Sequence, residues 1–145
     1  MSTQLSTFHV GRYLFGIDVE LVQEIVRMQT ITPVPLSGPE IAGLVNLRGE
    51  VLTAVDLRAR LGLPPAGESH DPVNVVVRLD DEPVSLLVDE IGAVIEVSAV
   101  PFETTPSTVD AAVRDLLVGA YTLPDRLLLA LNARKILAVP ADTRA

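Results

Sequence analysis

The chain has no cysteine. Disulfides, thiolate nucleophiles and cysteine metal sites are therefore excluded. Histidine is scarce too: His9 and His70 are the only two. Neither stands in an HExxH pattern, and no GxSxG pattern exists, so metal hydrolysis and a serine nucleophile elbow lack their signatures. Lys135 is the single lysine, and no glycine-rich phosphate loop precedes it. Tryptophan is absent, and Phe8, Tyr13, Phe15, Phe102 and Tyr121 are the only aromatics. A base-stacking surface is thus poorly supplied. Net charge is −8 with the arginines scattered, which excludes a basic phosphate-binding stripe. An anionic membrane surface would repel such a chain.

Long apolar runs are missing as well. None approaches the roughly 18–20 residues of a membrane helix. The start, Met1-Ser2-Thr3-Gln4, lacks the basic and apolar regions of a signal peptide. A cytoplasmic location without membrane insertion is the expectation.

What is present is short, apolar and β-branched. In a chain of 145 residues, 48% are hydrophobic, enough for one sizeable core. Leu5–Val10 and Tyr13–Ile17 flank Gly11-Arg12 and read as a hairpin. Asp18 is placed to cap a helix carrying Val19, Val22, Ile25 and Val26 at helical spacing. Two prolines in Thr30–Pro35 rule out a central strand. Gly43–Val55 reads as two strands about a turn at Arg48-Gly49, where Gly49 can take positive φ. Asp56 caps a short helix, Leu57–Leu61, which Gly62 ends. Residues 64–72 are rich in Pro, Gly, Ser and Asp and read as a linker. Strands follow at Val73–Leu79, Pro83–Val88 and Ala93–Val97. Ser107–Leu117 has one apolar face and reads as a helix. A hairpin turns at Pro124-Asp125, and Asn132 caps a last helix through Leu137.

The chain repeats itself. Gly43–Leu61 aligns with Gly119–Leu137: Gly43 meets Gly119, Leu52 meets Leu128, Asp56 meets Asn132, and Arg58 meets Arg134. A weaker match sets Ile17-Asp18 on Val88-Asp89 and, with a gap, Val22 on Val94. Two copies of a unit of about 70 residues built from short strands imply two small barrels. Two packed barrels leave a groove, a usual binding place. They also allow head-to-tail pairing into rings.

Chemistry is thinly represented. The acidic sets are Asp80-Asp81-Glu82, Asp89-Glu90, and Glu20 with Glu24. The first sits in a turn, where solvated acids are ordinary. On a helix, Glu20 and Glu24 would be neighbours, with Arg27 close by. A small acid–base enzyme therefore stands as the alternative, and a nucleic-acid-binding barrel stands last. Gly43, Asn46, Gly49, Gly119 and the caps Asp56 and Asn132 read as structural. Arg48 has two readings. It is a surface arginine paired with Glu50 or Asp56, or it contacts a partner. Its counterpart in the second copy is Pro124, so the turn does not itself require arginine.

Several motifs, in order, resemble the CheW-like domain family. Gly16-Ile-Asp-Val-Glu-Leu-Val-Gln-Glu-Ile25, Ile31-Thr-Pro-Val-Pro35, Asn46-Leu-Arg-Gly49, Val55-Asp-Leu-Arg58 and Leu87-Val-Asp89 carry the likeness, over about residues 8–139. The resemblance implies a mainly β fold in one domain spanning 1–145: two similar five-stranded SH3-like barrels with short helices. It assigns first-barrel motifs to about 8–63 and second-barrel motifs to about 73–139. It implies a chemotaxis adaptor, not an enzyme and without cofactor, that couples chemoreceptor cytoplasmic tips to the regulatory domain of a CheA-type histidine kinase. Such an adaptor is cytoplasmic and recruited to membrane receptor arrays. A non-flagellar chemosensory system for motility, development or a second messenger is the variant reading. Carried over by position, Val22, Glu24, Ile25, Arg48 and Arg58 fall on partner-binding segments. Ser85 departs from the family pattern, which often has glycine there, so local crowding is an expectation.

Overall fold

The computed structural model describes residues 3–27, 30–35, 38–64, 72–104 and 109–138. The sequence-derived linker at 64–72 and the start of the Ser107–Leu117 helix fall largely outside them. Strands dominate. The first half supplies β1 (Gln4–Val10), β2 (Tyr13–Asp18), β3 (Val22–Arg27), β4 (Ile41–Leu47), β5 (Glu50–Asp56) and helix α1 (Leu57–Arg60). The second supplies β6 (Val73–Leu79), β7 (Glu82–Val88), β8 (Glu90–Glu96), β9 (Phe102–Glu103), α2 (Ala111–Arg114), β10 (Leu117–Thr122), β11 (Leu127–Leu131) and α3 (Ala133–Leu137).

The strands form two sheets, ordered β8-β1-β2-β11-β10-β9 and β3-β6-β7-β5-β4. Each half of the chain feeds both sheets. The β1–β2 hairpin joins β8, β10 and β11, while β6–β7 joins β3, β4 and β5. The joints are the parallel pairs β2–β11 and β5–β7, which need long crossover connections and cannot arise from local hairpins.

Both sheets close on themselves. After β3 the chain crosses to the far edge, where Thr32 and Leu44 exchange backbone hydrogen bonds of 2.9 and 2.8 Å. After β8 the same route brings β9 onto β10, with Thr122 N donating to Pro101 O at 2.9 Å. Closure explains a core on each face. Val73, Val75 and Val77 join a central cluster with Phe8, Phe15, Leu86 and Leu129 between the barrels. Val76 points the other way, into a cluster with Val45, Leu52 and Ala54 inside its own barrel. Leu5, Leu14 and Leu128 fill the other barrel. The mainly β, two-barrel fold implied by the motifs is thus the fold observed.

Residue-by-residue equivalence is tighter than the sequence match. One constant offset carries Thr7 onto Val76, Gly16 onto Ser85, Val22 onto Ile91 and Ile25 onto Val94, preserving the strand register and the bulge in between. This moves the Ile17-Asp18 part of the weaker sequence match by two positions and its Val22 part by three, so Val94 answers to Ile25 rather than to Val22. The match of Gly43 with Gly119 holds, with bulges in the same place.

Two local expectations are corrected. Asp18 does cap, accepting from Glu20 N at 3.0 Å, but the helix is a single 3-10 turn, Val19–Leu21. β3 then pairs with β6, and exposure alternates along it. The β-branched Val22, Ile25 and Val26 suit a pleated strand better than a helix, and β6 supplies the ladder. Likewise α2 is one turn, and Leu117 opens β10 instead of ending a helix. Its backbone pairs with Leu131.

Ser85 is fully buried, and its hydroxyl donates to Asn74 Oδ1 at 2.8 Å. Ser85 faces Ala54 just as Gly16 faces Ala130, so the larger residue leaves the register unchanged. The hydroxyl and the amide satisfy one another in an apolar setting. Ser85→Ala strips Asn74 Oδ1 of its donor and is expected to cost about 1–2 kcal/mol, read as a loss of a few degrees in Tm. An unchanged Tm would show that the pair contributes nothing.

Candidate functional site

The β4–β5 hairpin presents the first site residue. Arg48 and Gly49 both have positive φ, 54° and 83°, the geometry a two-residue hairpin needs to match strand twist. Asn46 Oδ1 accepts from Gly49 N at 3.1 Å and braces the turn. Arg48 holds a left-handed conformation that an L side chain adopts at some cost. Its side chain is 81% exposed.

Arg48 does not pair with Glu50 or Asp56. Its Nη1 lies 2.6 Å from Glu24 Oε2, whose side chain is 17% exposed. The two residues belong to opposite edges of one sheet, β3 and the β4–β5 turn, and meet because the barrel closes. Ile25, next to Glu24, points outward and is 42% exposed. Val22 turns inward against the central cluster. The structure therefore brings Glu24 and Arg48 together, while Ile25 faces outward from the next strand position and Val22 packs on the central cluster. Glu20 lies in the preceding turn, and the like-charge neighbourhood expected on a helix does not form.

Arg58 has a different setting. Its Nε and Nη2 meet Asp89 Oδ1 and Oδ2 at 3.0 and 2.6 Å, and Nη1 donates to Pro64 O at 2.7 Å. Asp89 Oδ2 also accepts from Gly11 N at 2.7 Å. The pair is only 19% and 15% exposed and ties α1 to the β1–β2 turn and the β7–β8 junction. The hydrogen bonds that Arg58 donates to the Asp89 carboxylate raise its pKa above the ordinary value. Arg58 is thus occupied within the fold rather than presented with Arg48. Beside it, Arg60 reaches the C-terminal carbonyls of α3, Lys135 O and Ile136 O.

The remaining marked residues hold backbone. Asp56 Oδ1 accepts from Ala59 N at 3.3 Å, and Asn132 Oδ1 from Lys135 N at 3.2 Å. Gly43 and Gly119 lie where the closing segment presses on the sheet. Asp80 sits in a positive-φ turn with Arg134 Nη1 at 2.8 Å, a contact that raises the arginine's pKa. Among the described residues no group of three or more His, Asp or Glu is placed to hold a metal ion. His9 is half-buried in β1, and His70 lies outside those residues. No helix among them is long and apolar enough to cross a membrane.

Sequence reasoning missed exposed apolar residues: Val51, Val94, Val118 and Phe102. Val94 was within reach, since it repeats Ile25, but only the correct register reveals the match.

The fold is that of a duplicated β-barrel module. The chain belongs to the CheW-like domain family, whose model matches residues 4–141. It is 28% identical over 137 residues to "Chemotaxis protein CheW" of Treponema pallidum, covering 92% of this chain and 81% of that one. The proteins of the same name from Rhizobium meliloti and Bacillus subtilis are each 31% identical, covering 86% and 92% of this chain and 81% and 86% of theirs. The crystal structure of the scaffolding protein TtCheW from Thermoanaerobacter tengcongensis superposes with a TM-score of 0.84 at 26% identity, covering 96% of this chain and 94% of that one.

Proposed function

We propose that this chain is a cytoplasmic chemotaxis adaptor that couples chemoreceptor tips to a CheA-type histidine kinase and is recruited to receptor arrays at the membrane. It performs no chemistry of its own. One surface holds the receptor and another the kinase, which raises their effective concentration and fixes their geometry. The observation that carries this reading is Arg48. It occupies an exposed left-handed turn position where the equivalent turn of the second barrel manages with Pro124. Folding does not call for arginine there, whereas interfaces favour it. Ile25, exposed on the strand that carries Glu24, supplies apolar area suited to a helical receptor tip.

The test is reconstitution with the kinase and a receptor signalling fragment. Kinase autophosphorylation should rise only when all three are present. Arg48→Glu should weaken binding about tenfold or more, as loss of an interface arginine does, while Tm moves by only a few degrees. The swap Arg48→Glu with Glu24→Arg separates two roles. It restores activity if Arg48 serves only the barrel rim, and leaves activity lost if Arg48 touches the partner. Activation that survives Arg48→Glu unchanged removes this residue from the interface.

A further inference from the structure

Neither half of the chain is complete by itself. Among the described residues, the only ladders within 3–64 are the hairpins β1–β2 and β4–β5, with the Thr32–Leu44 bridge. Within 72–138 they are β6–β7, β10–β11 and the short β9–β10. The ladders that build the barrels, β1–β8, β2–β11, β3–β6 and β5–β7, all join one half to the other. So do the Arg58–Asp89 pair, the bond from Gly11 N to Asp89, and the bonds from Arg60 to α3. The central cluster is shared in the same way: Phe8, Phe15 and Leu57 meet Val75, Leu86 and Leu129. Isolated hairpins are marginal in water, so each half depends on the other for its fold.

Against these many contacts stands a single covalent connection. The backbone passes between the halves once, from Pro64 to Pro72. Nothing in the ladders or in the central cluster depends on which molecule supplies a half. The first half of one copy can therefore meet the second half of another with every strand pairing kept and no new surface needed.

We propose that a second copy of this chain is a partner through exchange of halves. Residues 3–64 of each copy assemble with 72–138 of the other, giving two complete two-barrel modules tied by two crossings. Each module keeps Glu24 and Arg48 from one copy, whereas Arg58 and Asp89 come from different copies. The dimer is symmetric and closed, so it does not propagate. Assembly within one chain competes at an effective concentration on the order of 1 mM for a short connection. Exchange therefore takes place when chains fold together at high concentration, not when folded monomers meet. Reversal requires the modules to unfold, so the dimer persists once formed. The proposal uses chain topology alone and stands or falls separately from the receptor and kinase assignment.

A chain without native cysteine allows a direct test. Gln4 on β1 and Glu96 on β8 are both exposed and directly opposed. They form a non-hydrogen-bonded pair, since Val97 N donates to Thr3 O at 2.8 Å just beyond them. Opposed Cα atoms of that kind lie about 4.5 Å apart, within reach of a disulfide. The full chain carrying Gln4→Cys with Glu96→Cys is unfolded in urea, refolded under reducing conditions, and separated by size. Refolding at about 1 mM should yield a dimer share several-fold larger than refolding at about 10 μM. After oxidation, the monomer peak should run as a monomer on a non-reducing gel, because the bond closes within one chain. The dimer peak should run as a covalent dimer, because β1 and β8 then belong to different chains. Wild-type dimer isolated in the same way should survive dilution while folded, a readout free of any substitution. The proposal is overturned by refolding that gives no dimer, by a dimer whose disulfides close within single chains, or by one that dissociates on dilution while folded. Covalent dimer formed by either cysteine alone would show surface contact instead and would equally overturn it.

Discussion

Gly43→Ala should lower stability by about 3 kcal/mol or more, and Tm by roughly 10 °C, read by thermal and urea unfolding. A Cβ on Gly43 would lie 2.2 Å from Thr32 O and 2.7 Å from its carbonyl carbon. Both are backbone atoms, and the Thr32 segment is pinned by its hydrogen bonds to Leu44, so neither can rotate away. The φ of +152° adds strain for any L side chain. Relief requires the closing segment to lift off β4, which opens the barrel over Val45 and Leu52. Gly119 meets the same obstacle in the second barrel, where a Cβ would fall 2.5 Å from Glu103 O. Gly49→Ala is the control. Nothing lies within 4 Å of its Cβ position, so only the left-handed φ counts against it, a cost of about 1 kcal/mol. Equal melting of Gly43→Ala and Gly49→Ala would show that barrel closure carries no weight.

Arg58→Met should cost about 2–4 kcal/mol. Removing the arginine leaves the Asp89 carboxylate, 15% exposed, without its bidentate partner. A wholly buried orphan costs about 3–5 kcal/mol and a surface pair at most about 1, and this site lies nearer the first. Arg58→Lys should recover only part of the loss, since an ammonium cannot match both carboxylate oxygens. Arg58→Met with Asp89→Leu should be more stable than the sum of the single changes predicts, and the double-mutant cycle in urea measures the coupling. The pH dependence has a fixed sign on the arginine side. Its pKa is raised above the ordinary arginine value in the fold, so its contribution is complete at every pH below that ordinary value and is lost only in stronger alkali. A cost below 1 kcal/mol would place the pair with ordinary surface ion pairs and return Arg58 to the candidates for partner contact.

These two predictions differ in how far the sequence points to them. The Gly43–Gly119 match was visible, and so was its structural character. Its reason, pressure from a segment eleven residues upstream, needed the closed barrel. The Arg58–Asp89 pair joins residues whose separation of 31 gives no local signal. The match of Arg58 with Arg134 pointed to equivalence, yet Arg134 reaches Asp80 in a different turn. The helix expected after Asp18 failed for a related reason. Val19, Val22, Ile25 and Val26 fit helical spacing, but a strand partner, β6, was available about fifty residues away. Local spacing carries no record of that partner.

The sequence by itself determined what depends on backbone chemistry within a few residues. Asp56 and Asn132 start helices because each side-chain oxygen reaches an amide three residues on. The chain turns at Arg48-Gly49 because Gly49 takes positive φ without steric cost. The duplication, and with it two barrels, was legible because each copy repeats those local signals in order. Only the tertiary structure decided which strands meet. It sends the β1–β2 and β6–β7 hairpins each into the barrel of the other half, joins Glu24 to Arg48, and encloses Arg58 with Asp89. Those pairings are settled by burying two-faced strands and closing sheet edges, and both are properties of the assembled chain rather than of any short segment.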